Sequence, residues 1–112
     1  MLETDEAHAV LAISLMAAMA DGRTGGRERE HLRSLFDSLS GEHDLPDLPE
    51  LYQRVLMKRT SLDAEAARLT SDEAKRMAFE MAVCVADADG TTTRAEQAFL
   101  QALEAWPTHQ EA

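Results

Sequence analysis

The chain has 112 residues, of which 45% are hydrophobic but only 4% aromatic, so alanine, leucine and methionine must fill its core, as is usual in helical proteins. Eleven basic residues face 21 acidic ones, a net charge of −10, which repels phosphate backbones and anionic lipid and excludes nucleic acid and membrane surfaces as direct partners. One domain over residues 1–112, soluble, cytoplasmic and without direct membrane insertion, is the expectation. Cys84 is the single cysteine and has no internal disulfide partner, and the apolar run 9–20 is shorter than the roughly 20 residues a bilayer requires.

Apolar spacing predicts an all-α bundle of about six helices. The first runs from Glu6 to Ala20, capped by Thr4 or Asp5, with Ser14 as the lone polar residue from Ala9 onward. A helix apolar on all sides belongs in the centre of a bundle. The second, Gly26 to Leu39, carries the stripe Leu32, Leu35, Phe36 and Leu39, with Arg27, Arg29, Arg33 and Asp37 off it. Glu28 stands four residues before Leu32, at the top of that stripe. Gly41, Pro46 and Pro49 punctuate a loop from Ser40 to Pro49. A third helix reaches Arg59, and Thr60-x-x-Asp63 opens a short fourth helix through Leu69.

Thr70-x-x-Glu73 is a capping box for the fifth helix, which extends to Ala88. Glu80 is its one polar side chain from Met77 to Ala86, so it reads as a second central helix paired with the first, with Cys84 as a small hydrophobe inside it. Thr93-x-x-Glu96 caps the last helix, whose stripe is Phe99, Leu100, Leu103 and Trp106. Pro107 is expected to stop it, leaving 108–112 frayed.

Two stretches repeat one grammar. In LMAAMADGRTGGREREHL and MAVCVADADGTTTRAEQAFL an apolar helix meets Asp-Gly, then five residues, then a Glu: Asp21-Gly22 to Glu28, and Asp89-Gly90 to Glu96. The offset is 68 residues, which makes the chain two related helix-turn-helix halves. Asp21, Asp87 and Asp89 stand at helix C-termini, where the macrodipole disfavours a carboxylate by about 0.3–1 kcal/mol. Loop N–H groups, a basic side chain or a cation would offset that cost. A purely structural explanation competes: Asp in an Asx turn, Gly as C-cap, Glu closing a capping box.

The second turn overlays the calcium-loop pattern at positions three, five, six and twelve, but Val85 stands where the first ligand belongs. A looser hard-cation site built on Asp87, Asp89 and Glu96, completed by threonine hydroxyls, carbonyls or water, fits better than an EF-hand. Glu28-x-x-His31 has di-iron spacing, but its counterpart is Glu96-x-x-Phe99, so His31 reads as a partly exposed helix residue. No nucleophile elbow, phosphate loop or acid–base pair points to an enzyme. His8, His43 and His109 have nothing organised around them in the sequence.

The pairing of MAAMADGRTGGREREHL with CVADADGTTTRAEQAFL resembles the TerB-like domain, found in bacterial tellurite-resistance proteins and in the N-terminal region of a membrane-anchored DnaJ-type co-chaperone. The family mark is an apolar helix ending in Ala-Asp-Gly, a short turn, and a Glu-led helix with a leucine four residues later. The resemblance implies a compact helical bundle with pseudo-symmetric halves, no enzymatic activity, and an acidic patch that binds a divalent cation, of which Ca, Mg and Mn are candidates. No organic cofactor is implied. Carried onto this chain, the acidic positions are Asp21, Glu28, Asp89 and Glu96, with Asp87 as a neighbour. Met19 holds the place of Asp87 in the first copy, which leaves that copy poorer in ligands. The expected function is a stress or metal-response module that relays cation binding to a protein partner, itself membrane-associated. The alternative is a metal-independent adaptor in a membrane-associated complex.

Overall fold

Helix α1, Thr4–Ala18, is the axis of the structure, and every residue from Ala9 to Ala18 is buried. A computed structural model of the chain describes residues 3–20, 26–41, 45, 47–57, 59–86 and 94–110, with side chains described at all of these except 26, 28, 48 and 105–110. Five further helices surround α1: α2 Gly26–Ser40, α3 Leu48–Leu56, α4 Leu62–Ala66, α5 Asp72–Ala86 and α6 Arg94–Gln110. No strand occurs among the described residues. Helix α1 packs on all five, most extensively on α5. The radius of gyration, 12.8 Å, is that of a tightly folded chain of this length.

The 68-residue repeat is carried into the architecture. Thr4 and Asp72 open α1 and α5, Ala18 and Ala86 close them, and Gly26 and Arg94 open α2 and α6, each pair 68 residues apart. Glu28 and Glu96 are accordingly both the third residue of their helices. The halves are thus α1–α2 and α5–α6, with α3 and α4 as the connector.

The one polar side chain deep in α1 is satisfied locally. The Ser14 hydroxyl donates to the Val10 carbonyl at 2.8 Å, one turn back, so no polar partner is needed from a neighbouring helix. Ser14→Ala removes only this second bond to a carbonyl already used by the helix. It is expected to change stability by less than about 1 kcal/mol, measurable by urea denaturation.

Several boundaries differ from the sequence expectation. Helix α1 begins at Thr4, with Glu3 rather than Thr4 or Asp5 as N-cap, and ends at Ala18 rather than Ala20. Ser61, not Thr60, caps α4, accepting from the Ala64 N–H at 3.2 Å, and α4 stops at Ala66 instead of Leu69. Ser71, not Thr70, caps α5, accepting from the Ala74 N–H at 3.1 Å. In both cases the neighbouring threonine is drawn to a buried glutamate instead. Pro49 lies inside the first turn of α3, where a missing N–H costs nothing, and α3 ends at Leu56, short of Arg59. Helix α6 continues through Pro107 to Gln110.

Helix α5 is the larger correction. Only one side of it is buried, along Ala74, Ala78, Ala82, Val85 and Ala86, while Val83 is 38% exposed and Cys84 is exposed. From Met77 onward the helix is apolar nearly all round, yet the rest of the bundle fully covers one face. Cys84 is a surface thiol and not a core hydrophobe. On α3, Leu51 is fully buried, but Leu56 and the following Met57 are 56% and 62% exposed.

Candidate functional site

The segments that carry the acidic repeat follow α1 and α5 in the chain. Of the five candidate ligands, Asp21, Asp87 and Asp89 lie outside the described residues, as does the side chain of Glu28. Glu96 is described, and it is 1% exposed in the first turn of α6. It shares a helix face with Leu100 and Leu103, the latter 5% exposed, so the inward orientation expected from its spacing is found. Val85 is fully buried within α5, which rules it out as the first ligand of a calcium loop. His31 is exposed on the outer face of α2, beside Arg27, Glu30 and Ser34. Among the described residues no three His, Cys, Asp or Glu side chains gather in a metal-binding group.

Two other carboxylates, not singled out in the sequence, are also inside the bundle. Glu6 is 3% exposed at the start of α1. Its Oε1 accepts from the Glu3 N–H at 3.1 Å, closing the N-terminus of its own helix. Its Oε2 accepts from the Ser71 N–H at 2.9 Å and hydroxyl at 2.8 Å, and from the Thr70 N–H at 3.2 Å and hydroxyl at 3.3 Å. One carboxylate therefore serves the amino ends of both central helices, where the helix dipoles also favour a negative charge. The Glu3 amide bond, opposed by burial and reinforced by the bonds from Ser71 and Thr70, lowers the Glu6 pKa from 4.5 to about 2.

Glu65, in α4, is likewise 1% exposed. The Thr60 hydroxyl donates to its Oε2 at 2.6 Å. His8 Nδ1 lies 3.3 Å from its Oε1, and Arg68 Nε 3.7 Å from the same oxygen. Burial pushes this carboxyl up, but the adjoining His8, the Thr60 hydroxyl and the Arg68 charge outweigh it and hold it below 4.5. His8, unremarkable in the sequence, is thus part of a polar cluster linking α1 to the connector. The sequence signals were faint: a Glu at the third position of α1, and hydroxyl pairs Thr60-Ser61 and Thr70-Ser71 just before α4 and α5. Nothing local says that the second hydroxyl of each pair caps its helix, or that the Thr70-Ser71 pair also reaches Glu6, in a distant part of the chain.

Comparison with known families places this arrangement. The family model described as "Tellurite resistance protein TerB" matches residues 7–105, from the first turns of α1 into α6. The chain belongs to the TerB family. Searches of curated proteins and of solved structures each return no match. The match takes in both halves of this TerB domain, its connector and all five acidic candidates, and the all-α architecture is that expected from the resemblance. No helix among the described residues is long and apolar enough to cross a membrane.

Proposed function

We propose that this TerB domain is a non-enzymatic module that binds a divalent cation at the turns following α1 and α5 and relays binding to a protein partner, itself membrane-associated, in a tellurite or stress response. The residues that would hold the ion are Asp21, Glu28, Asp87, Asp89 and Glu96. The observation that carries the reading is Glu96, a carboxylate at 1% exposure beside one of the acidic turns. A buried carboxylate in sequence next to further acids offers oxygen ligands of the kind that a hard cation such as Ca, Mg or Mn prefers. The ion would act as a fastener between the turn and the first turn of α6, so its arrival would alter the surface offered to a partner.

Calorimetric titration of the full chain with calcium, magnesium, manganese and zinc tests this, with melting temperature followed in parallel. A saturable heat and a raised melting temperature are expected with at least one hard cation. Glu96→Gln is expected to weaken that binding by about tenfold or more, which corresponds to about 1.4 kcal/mol. No heat with any ion and no change in melting temperature would end the cation reading and leave the metal-independent adaptor.

A further inference from the structure

His8 sits on α1 with 12% of its side chain exposed, pointing toward α4 and the turn after it. Its Nδ1 is 3.2 Å from Arg68 Nη1 and 3.3 Å from Glu65 Oε1. A guanidinium can only donate and an ionised carboxylate can only accept, so one ring nitrogen cannot satisfy both at once. With a lone pair at Nδ1 it accepts from Arg68. With a proton there it donates to Glu65.

The two oxygens of Glu65 are not equivalent. Oε2 holds the Thr60 hydroxyl at 2.6 Å. Oε1 is fully buried and has no hydrogen-bond donor among the described residues, although Arg68 Nε is 3.7 Å away as an ion-pair partner. Nδ1 therefore stands between a donor, Arg68 Nη1, and a buried acceptor, Glu65 Oε1, and which of them it serves depends on whether it carries a proton. A buried acceptor without a donor favours any change that brings it a proton.

We propose that His8 is a protonation-driven hydrogen-bond switch between α1 and the α4 connector. In the neutral form Nδ1 accepts from Arg68 Nη1 while Nε2 carries the ring proton. Uptake of a proton from solvent at Nδ1 makes the imidazolium, whose Nδ1–H donates to Glu65 Oε1. The Arg68 guanidinium then loses its acceptor, meets a like charge, and turns outward, which its 46% side-chain exposure permits. The charged groups facing His8 are Glu65 from α4 and Arg68 from the turn that follows. On α1 itself, Asp5 is exposed one turn earlier and Glu6 is committed to Glu3, Thr70 and Ser71. Among the described residues, the polar contacts given for the His8 ring are those to Arg68 and Glu65. The outcome is a connector latched to α1 through Glu65 in the protonated form and through Arg68 in the neutral one.

The test is nitrogen-15 NMR of the uniformly labelled full chain, reading the imidazole tautomer of His8 and the Arg68 side-chain N–H signals as the pH is lowered from alkaline until the ring is protonated. At the upper end His8 is expected as the Nε2–H tautomer. As pH falls, an Nδ1–H signal protected from solvent exchange should emerge together with faster exchange at Arg68. Arg68→Gln, a change at a half-exposed side chain that leaves the core intact, is expected to shift neutral His8 toward the Nδ1–H tautomer, because the donor that held its lone pair is weakened. An Nδ1–H tautomer in the unmodified chain at high pH would overturn the proposal, since His8 would then serve Glu65 throughout. Arg68 signals that do not respond to His8 protonation would overturn it equally.

Discussion

Glu6→Ala is expected to destabilise the domain by about 3–5 kcal/mol, the range found when one member of a buried, charge-assisted polar network is removed. The substitution strips the acceptor from two backbone N–H groups and two hydroxyls at the start of α5 and from the Glu3 N–H at the start of α1. Alanine offers nothing in return, and the amino ends of both central helices lose their tie. In a domain of this size each kcal/mol moves the melting temperature by roughly 4–8 °C, so thermal denaturation followed by circular dichroism would show a large drop. Glu6→Gln keeps one acceptor oxygen and should fall between the two.

The same residue sets a pH dependence. Its pKa is about 2 in the folded chain against an ordinary 4.5, so the folded state binds this proton less readily than the unfolded chain. The stabilisation is therefore complete above about pH 4.5 and is lost as the pH falls toward 2, and the shift corresponds to roughly 3 kcal/mol. Urea denaturation at pH 6, 4 and 3 should show stability declining through this window. In Glu6→Gln, which cannot titrate, the decline should be shallower by the Glu6 contribution. Equal slopes in the two proteins would show that Glu6 is not responsible.

Ala78→Leu is the second large effect. Ala74, Ala78 and Ala82 recur every four residues on the buried side of α5, each fully buried, and α5 makes its most extensive packing with α1. Helix α1 is itself rich in fully buried alanines, Ala7, Ala9, Ala12, Ala17 and Ala18, spread around its circumference. Small side chains let helices approach closely, and three added carbons must be accommodated by moving one helix away from the other. Overpacking of this kind costs about 1–3 kcal/mol and more where the backbone cannot shift. Cys84→Ser is the control: on the exposed side of the same helix it should change stability by less than about 0.5 kcal/mol. The pair of denaturation curves tests the one-sided burial of α5 directly, since a helix buried all round would be damaged by both changes.

Much of this architecture is legible in the order of residues. A helix with one polar residue in twelve is central, and α1 is. A motif repeated at constant offset gives two similar halves, and the ends of α1 and α5 keep that offset to the residue. A glutamate four positions before a stripe leucine faces inward, and Glu96 does. Each of these follows from helical periodicity, which is local: 3.6 residues per turn fixes which side chains share a face, whatever the rest of the chain does.

The tertiary structure decided what periodicity could not reach. Apolar spacing does not say which sides of α5 will be covered, because coverage depends on where α1, α2 and α6 lie; Val83 and Cys84 were left outside by that placement. Nor does it say which of two adjacent hydroxyl residues will cap a helix. Ser61 and Ser71 take that role, while the Thr60 hydroxyl donates to Glu65 and both the Thr70 and Ser71 hydroxyls donate to Glu6, more than 60 residues away in the chain. Burial of Glu6, and the meeting of His8 with Glu65 and Arg68, arise only when α1 packs against the connector and the start of α5. Charges look surface-bound in a sequence with 21 acids, and only a fold that brings donors to them from distant segments lets particular ones be buried.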